Sequence, residues 1–123
     1  MTTSAGSSSL LVRFAEDFRS FTTGETIFTE GEAGDCMYVV KEGEVDVVVR
    51  GTVVETLGEG SILGEMALID KNPRSATVVA RSDCKLVPIN EARFKYLVQQ
   101  TPFFAIEVMR VMACRLRRMD AKL

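Results

Sequence analysis

Between residues 26 and 89, hydrophobic and polar positions alternate in short runs, a pattern typical of half-buried β-strands. The runs are rich in valine, isoleucine, threonine and aromatic residues, and glycine separates most of them. Glycine adopts positive φ at little cost, so Gly43 and the turn at residues 50–52 predict hairpin connections. The pattern therefore predicts strands at residues 26–29, 37–41, 45–50, 52–57, 76–81 and 85–89.

The C-terminal third of the chain changes to a helical spacing. Asn90 is a suitable N-cap for a helix over residues 91–100. Thr101 and Pro102 are a cap and a first-turn residue for a second helix, which we expect to end near residue 119.

A seam of small and apolar residues runs along this last helix at a 4, 3, 4, 3 spacing. It consists of Ala105, Met109, Met112, Leu116 and Met119, whereas Phe104, Val108 and Val111 lie on another face. The spacing suits a two-stranded coiled coil, but two heptads are fewer than a coiled coil normally needs. Self-association through this helix and coverage of both faces by the domain itself both stay open.

At the N-terminal end, residues 10–18 predict a short amphipathic helix with Leu11, Phe14 and Phe18 on one side. We expect residues 1–9 to be flexible and residues 10–123 to form one domain, because 123 residues suit one modest core. The predicted fold class is α+β. It combines an antiparallel, jelly-roll-like β-roll of about eight short strands with this N-terminal helix and two C-terminal helices.

Charge and hydropathy limit the possible partners. The chain has 15 basic and 17 acidic residues and a formal net charge of −2, which argues against a nucleic-acid surface. No segment approaches the roughly 18 consecutive apolar residues of a membrane span, and the N-terminal residues do not resemble a secretory signal. We therefore expect a cytoplasmic protein with no membrane insertion.

The side-chain inventory disfavours catalysis and metal binding. The chain contains no histidine, which removes Ser/His/Asp and Cys/His nucleophile systems and histidine-ligated metals. Cys36, Cys84 and Cys114 lack CxxC spacing, so neither a zinc site nor a disulfide framework is indicated. We expect no enzyme activity, no cofactor and no bound metal.

The stretch LGEMALIDKNPRSATV, residues 63–78, combines glycine, an acid and a base in one segment. Glu65 precedes apolar residues, which predicts that it begins a short helix whose positive end suits its carboxylate. Free backbone N–H groups at that end bind anions where glycine permits close approach, and Gly64 is placed for this. Arg74 adds a guanidinium that matches two phosphate oxygens at once, and Ser75 adds a hydroxyl donor.

These groups suit a ligand with one negative charge, a hydroxyl that donates to the acid, and a flat apolar part. A 3′,5′-cyclic nucleotide has one phosphodiester charge, one free ribose hydroxyl and a purine. The same spacing also fits an ordinary helix cap beside a solvated surface charge, and the spacing alone leaves both interpretations open.

The segment GEMALIDKNPRSATV closely resembles the phosphate-binding cassette of cyclic nucleotide-binding domains. That family includes domains of protein kinase A regulatory subunits, the catabolite activator protein and cyclic nucleotide-gated channels. TEGEAGDCMYVVKEGEVDV resembles the glycine-bearing strands of the same family, so the resemblance covers residues 21–119.

The resemblance also implies a role for each residue of the segment. It implies that Glu65 holds the ribose 2′-hydroxyl and that Arg74 holds the cyclic phosphate. The phosphate cradle would be completed by Gly64, Met66 and Ala67 with Ser75 and Ala76. Leu63 stands where relatives usually have an aromatic residue beneath the base, and Arg115 is the candidate contact from a terminal helix that closes over the base.

The function implied is the binding and sensing of a cyclic nucleotide, with cAMP favoured over cGMP, coupled to movement of the C-terminal helices. Few residues follow residue 119, so we expect a free-standing or excised module. It would signal to an unknown partner protein or to a second copy of itself. The alternative is a protein-interaction module of the same fold with a vestigial pocket, and a barrel-shaped metal enzyme is disfavoured by the lack of histidine.

Overall fold

The computed structural model describes residues 17–122, and the side chains of residues 17–117. Its strands are β1 (Arg19–Phe21), β2 (Thr26–Phe28), β3 (Cys36–Glu42), β4 (Val45–Val49), β5 (Thr52–Leu57), β6 (Ile62–Leu63), β7 (Thr77–Ala80) and β8 (Cys84–Asn90). Its helices are α1 (Glu65–Ile69), α2 (Glu91–Gln100) and α3 (Pro102–Lys122). The strands form two four-stranded antiparallel sheets, in the orders β1-β8-β3-β6 and β2-β7-β4-β5. The α+β fold class and the β-roll are thus confirmed.

Strand β3 is buried on both faces, because its alternating side chains enter two different cores. Tyr38 and Val40 point into the core between the two sheets, which draws residues from β2, β4, β5 and β7 as well. Met37 and Val39 point to the opposite side and pack with α2 and α3. The helices therefore cover the outer face of the first sheet, and α1 lies beside the same strand at the end of β6.

The two predicted hairpin turns are present. Arg50 and Gly51 both have positive φ, 52° and 81°, between β4 and β5. Gly43 has φ of 84°, and a Cβ atom there would lie 2.4 Å from the carbonyl oxygen of Asp83. Glycine at this turn thus satisfies both the backbone conformation and the close approach of the neighbouring chain.

The six predicted strands all occur, each within two residues of the predicted ends. Two short strands, β1 and β6, were not predicted, because neither is long enough to show an alternating pattern. Most of the helix predicted at residues 10–18 lies outside the described residues, and residues 17 and 18 are not helical.

Helix α2 begins as predicted, since the side chain of Asn90 accepts a hydrogen bond of 2.9 Å from the backbone N–H of Arg93. On α3, Phe104 and Val108 are buried against the first sheet, whereas Met109 and Leu116 of the predicted seam are exposed. Within the described part of the chain, none of the helices is long and apolar enough to cross a membrane.

Candidate functional site

A cleft of about 250 Å³ opens between α1, the second sheet and α3. Its walls are mostly apolar, and its polar groups come from the 63–78 segment, from β5 and from α3. The lining residues are Phe28, Val47, Val49, Val54, Glu55, Leu63, Gly64, Glu65, Met66, Ala67, Arg74, Ser75, Ala76, Val78 and Arg115. A concave apolar site with few polar groups is the usual form of a small-molecule pocket.

The start of α1 forms one wall of the cleft. Gly64 precedes the helix with φ of 76°, in the left-handed region that favours glycine, and makes no side-chain cap. Glu65 follows as the first helical residue, and its side chain is only 1% exposed. A carboxylate in the first turn is stabilised by the positive end of the helix dipole, which partly offsets the cost of its burial.

Arg74 supplies a buried cation to the same wall. Its guanidinium lies 4.0 Å from the ring centroid of Phe28, and its Nη1 donates a 3.1 Å hydrogen bond to the Gly64 carbonyl. Two backbone hydrogen bonds hold the Arg74 main chain in place. Its N–H donates to the carbonyl of Glu32, and its carbonyl accepts from the N–H of Gly31. The side chain is 6% exposed, so the loop, the ring and the carbonyl hold the charge inside the protein.

Two glycines leave room for the Arg74 side chain. A Cβ atom at Gly34 would lie 2.4 Å from Arg74 Nε, and one at Gly64 would lie 2.6 Å from its Nη1. Any larger residue at either position would displace the guanidinium or the backbone, since real Cβ contacts are not that short. Gly34 and Gly64 therefore position Arg74 by their size.

An aromatic stack supports this cation from below. Phe28 stacks on Tyr38 with their ring centroids 6.2 Å apart, and Arg19 Nη1 donates a 3.2 Å hydrogen bond to the Tyr38 hydroxyl. Burial of the phenol raises the pKa of Tyr38 to about 12. Tyr38 is thus uncharged at neutral pH, and the stack beneath Arg74 stays neutral and apolar.

Arg115 brings α3 to the cleft. Its Nη1 donates to Glu65 Oε2, and its Nη2 donates a 3.0 Å hydrogen bond to the carbonyl of Ile62. Its Nε lies 4.0 Å from Glu55 Oε1 on β5. One side chain of α3 therefore joins β5, the first residue of β6 and the start of α1.

Two residues that line the cleft each have a buried polar atom with no hydrogen-bond partner within the described residues, namely Glu65 Oε1 and Arg74 Nε. An unsatisfied buried donor or acceptor costs about 1 to 3 kcal/mol, and native proteins seldom leave such groups unpaired. Glu65 Oε1 is an acceptor on a negatively charged side chain, and Arg74 Nε is a donor on a positively charged one. A ligand that presents a hydroxyl and an anion would satisfy both.

The structure brings together in this cleft all of the site residues that the sequence predicted, including Leu63 and Arg115. These residues differ in exposure: Met66 and Ser75 are exposed, whereas Leu63, Ala67 and Ala76 are buried. Within the described residues, no group of three or more histidine, cysteine, aspartate or glutamate side chains is placed to hold a metal ion.

Sequence reasoning missed Phe28, Gly34 and Glu55, which come from other parts of the chain. The first two contact Arg74, and Glu55 contacts Arg115. One signal for Glu55 was present in the sequence: it shares the strand phase of buried Leu57, which makes it an acid at an inward-facing position.

Comparison with known proteins gives consistent matches. The family model of the cyclic nucleotide-binding domain matches residues 18–101. The catabolite activator protein of Thermus thermophilus is 31% identical with a TM-score of 0.78, and the match covers 87% of this chain and 53% of that protein. This chain thus spans about half the length of that protein.

Two further solved structures are similar. A protein of a cyclic-GMP-dependent signalling pathway that regulates bacterial phytopathogenesis is 27% identical with a TM-score of 0.75, and the match covers 89% of this chain and 93% of that one. The cAMP-bound PfPKA-R is 29% identical with a TM-score of 0.73, and the match covers 87% of this chain and 37% of that one.

The substitution Gly34→Ala tests the packing around Arg74. We expect the added methyl group to push the guanidinium from its place over Phe28, because the methyl carbon would lie 2.4 Å from Nε. The measurement is the ¹H–¹⁵N resonance of Arg74 Nε, assigned with Arg74→Lys. Gly58→Ala is the matched control, since a Cβ atom there meets nothing within 4 Å. An Arg74 resonance equally unchanged in both variants would show that Gly34 does not position the guanidinium.

Proposed function

Because the chain belongs to the cyclic nucleotide-binding domain family, we propose that the cleft binds one 3′,5′-cyclic nucleotide and that the domain senses it. In this proposal Arg74 binds the cyclic phosphate and Glu65 accepts a hydrogen bond from the ribose 2′-hydroxyl. One observation carries the proposal. The two buried, oppositely charged side chains face the same cleft, and each has a polar atom that lacks a partner among the described residues.

The chemistry of each contact suits this ligand. The guanidinium is a permanent cation with donors in a fixed plane, and a cyclic phosphodiester carries a single negative charge. The carboxylate only accepts hydrogen bonds, and the 2′-hydroxyl is the one ribose hydroxyl that a 3′,5′-cyclic nucleotide retains. Gly64, Met66, Ala67, Ser75 and Ala76 line the cleft around this position and complete the phosphate cradle in our proposal.

We propose cAMP as the preferred ligand and cGMP as the weaker one. The similar PfPKA-R has cAMP bound, and another similar protein belongs to a cyclic-GMP-dependent pathway, so relatives support both nucleotides as candidate ligands. The apolar walls formed by Val47, Val49 and Val54 suit a purine, and Leu63 adds a buried apolar contact.

We also propose that ligand binding is coupled to α3 through Arg115. Arg115 already contacts Glu65, so the residue proposed to hold the ribose is shared between the ligand and the helix. Because Glu65 has two carboxylate oxygens and Arg115 uses only Oε2, the ribose hydroxyl would bind Oε1 while the helix stays attached. A ligand shifts a conformational equilibrium only by binding its states unequally, and a shared carboxylate provides such a difference.

Arg74→Ala tests the phosphate contact. We expect it to weaken cAMP binding by about 2 to 5 kcal/mol, the usual cost of removing one partner from a buried charge pair. The measurement is calorimetric titration of folded protein. Arg81→Ala is the control, because Arg81 pairs with Asp46 on the exposed surface, outside the cleft. Equal affinities for cAMP in the two variants would rule out the phosphate role.

Glu65→Ala and Glu65→Gln test the ribose contact. We expect each to reduce the preference for cAMP over 2′-deoxy-cAMP, because one hydrogen bond to a charged group, about 1.5 to 3 kcal/mol, is lost or weakened. The readout is the ratio of the two dissociation constants in each variant. Glu59→Ala, an exposed acid in the turn before β6, should keep the wild-type ratio. Full discrimination in both Glu65 variants would assign the ribose contact to another group.

Cys114 offers a native probe of the coupling, because it is exposed and adjoins Arg115, whereas Cys36 and Cys84 are buried. We expect saturating cAMP to change the rate at which Cys114 reacts with a thiol reagent, because movement of α3 changes the surroundings of this thiol. The change should have the same midpoint as binding, and 5′-AMP should have no such effect. In Arg115→Ala the rate should no longer respond to cAMP. Binding that leaves the wild-type rate unchanged would contradict the coupling.

A further inference from the structure

Glu55 is an acid that points into the cleft. It shares a strand face with Leu57, which is buried in the core, while the intervening Thr56 points outward and its hydroxyl donates a 2.7 Å hydrogen bond to Asp46. Glu55 lines the cleft, its side chain is 20% exposed, and its register partner on β4 is Val47, also a lining residue.

The sheet order separates Glu55 from the proposed phosphate site. Phe28, which supports Arg74, lies on β2, and Glu55 lies on β5, the opposite edge of the β2-β7-β4-β5 sheet. Three strand spacings lie between these edges, about 14 Å. Arg115 contacts both Glu55 and Glu65, so the proposed ribose contact lies next to Glu55 along the cleft. A nucleotide with its phosphate at Arg74 and its ribose at Glu65 therefore has its base at the β5 end.

A second carboxylate in an anion-binding cleft needs an explanation. The charged groups that line the cleft are two arginines and two glutamates, so Glu55 removes the net positive charge that would favour a phosphate. A carboxylate is only an acceptor, and at the base end of a cyclic nucleotide the available donors are N–H groups of the purine. At the base end the carboxylate is farther from the phosphate, so the repulsion between the two negative charges is weaker, and the base can donate a hydrogen bond to it.

We propose that Glu55 is the base-reading residue and that it accepts a hydrogen bond from the exocyclic amine at position 6 of adenine. Guanine carries a carbonyl oxygen at position 6, so a carboxylate that faces this position meets a second acceptor. Glu55 thus selects cAMP over cGMP at the strand edge of the cleft, while Arg115 holds its carboxylate from the helix side. A carboxylate that faces positions 1 and 2 would instead accept from the two donors of guanine and favour cGMP, which the test below distinguishes. This inference rests on the proposed function, because it requires that the cleft binds a cyclic nucleotide.

The test compares cAMP with the 3′,5′-cyclic monophosphate of purine riboside, which lacks an exocyclic amine. We expect wild-type protein to bind cAMP roughly 10- to 100-fold more tightly than the purine riboside analogue, because one hydrogen bond to a charged group contributes about that much. Glu55→Ala should bring the dissociation constants of cAMP and the analogue to a ratio of about 1. It should also reduce the preference for cAMP over cGMP. Glu55→Val, which matches the valines beside it, repeats the test if the alanine variant does not fold. Asp46→Asn is the matched control, because this acid points away from the cleft on the same hairpin.

The outcomes separate the two proposals. Wild-type protein that is folded and binds neither nucleotide would overturn the proposed function and this inference together. Binding of both nucleotides with equal affinity in wild-type protein, or an unchanged ratio in the Glu55 variants, would overturn only the base-reading role. A preference for cGMP that is lost in Glu55→Ala would overturn the contact at position 6. Loss of the cAMP preference in the Glu55 variants, with the ratio kept in Asp46→Asn, supports it.

Discussion

The buried guanidinium of Arg74 is the interaction on which the rest of the site depends. Removing a cation from water costs several kcal/mol unless its surroundings replace the lost hydration. Here Phe28 lies 4.0 Å below the guanidinium and the Gly64 carbonyl accepts one of its hydrogen bonds, while Nε has no partner among the described residues. The protein thus stabilises part of the charge, and we propose that a phosphate bound in the cleft, which Arg74 lines, stabilises the rest.

This constraint explains features that lie far apart in the sequence. Gly34 and Gly64 must lack a side chain because a Cβ atom at either would fall within 2.6 Å of the guanidinium. The loop at residues 31–32 must pair with the Arg74 backbone to hold the start of β7 in place. Tyr38 connects the ring below the cation to the centre of the first sheet. The second core, between that sheet and the helices, positions α3 so that Arg115 reaches Glu65.

Much of the fold could be predicted from local pattern, because the strands of five to seven residues are rich in valine and other β-forming residues and glycine marks their turns. Strands β1 and β6, of three and two residues, are defined by their pairing with β8 and β3 rather than by their own sequence. Gly64, Glu65 and Arg74 could be predicted because they lie in one contiguous segment. Phe28 could not, since the order of the strands, which no local pattern encodes, brings it to the cleft. For Glu55 the strand phase indicates an inward-facing acid, but only the strand order places that acid in the cleft.

The central claim is that this cleft binds a cyclic nucleotide. The most direct test is calorimetric titration of the full chain with cAMP and cGMP, after unfolding and refolding to remove nucleotide carried from the expression host. Circular dichroism would verify the refolded β-roll, and 5′-AMP would serve as the non-cyclic control. We predict one cyclic nucleotide per chain, with cAMP bound more tightly than cGMP and 5′-AMP bound weakly. Folded protein that gives no heat with either cyclic nucleotide at several temperatures would contradict the account and favour a protein-interaction module with a vestigial pocket.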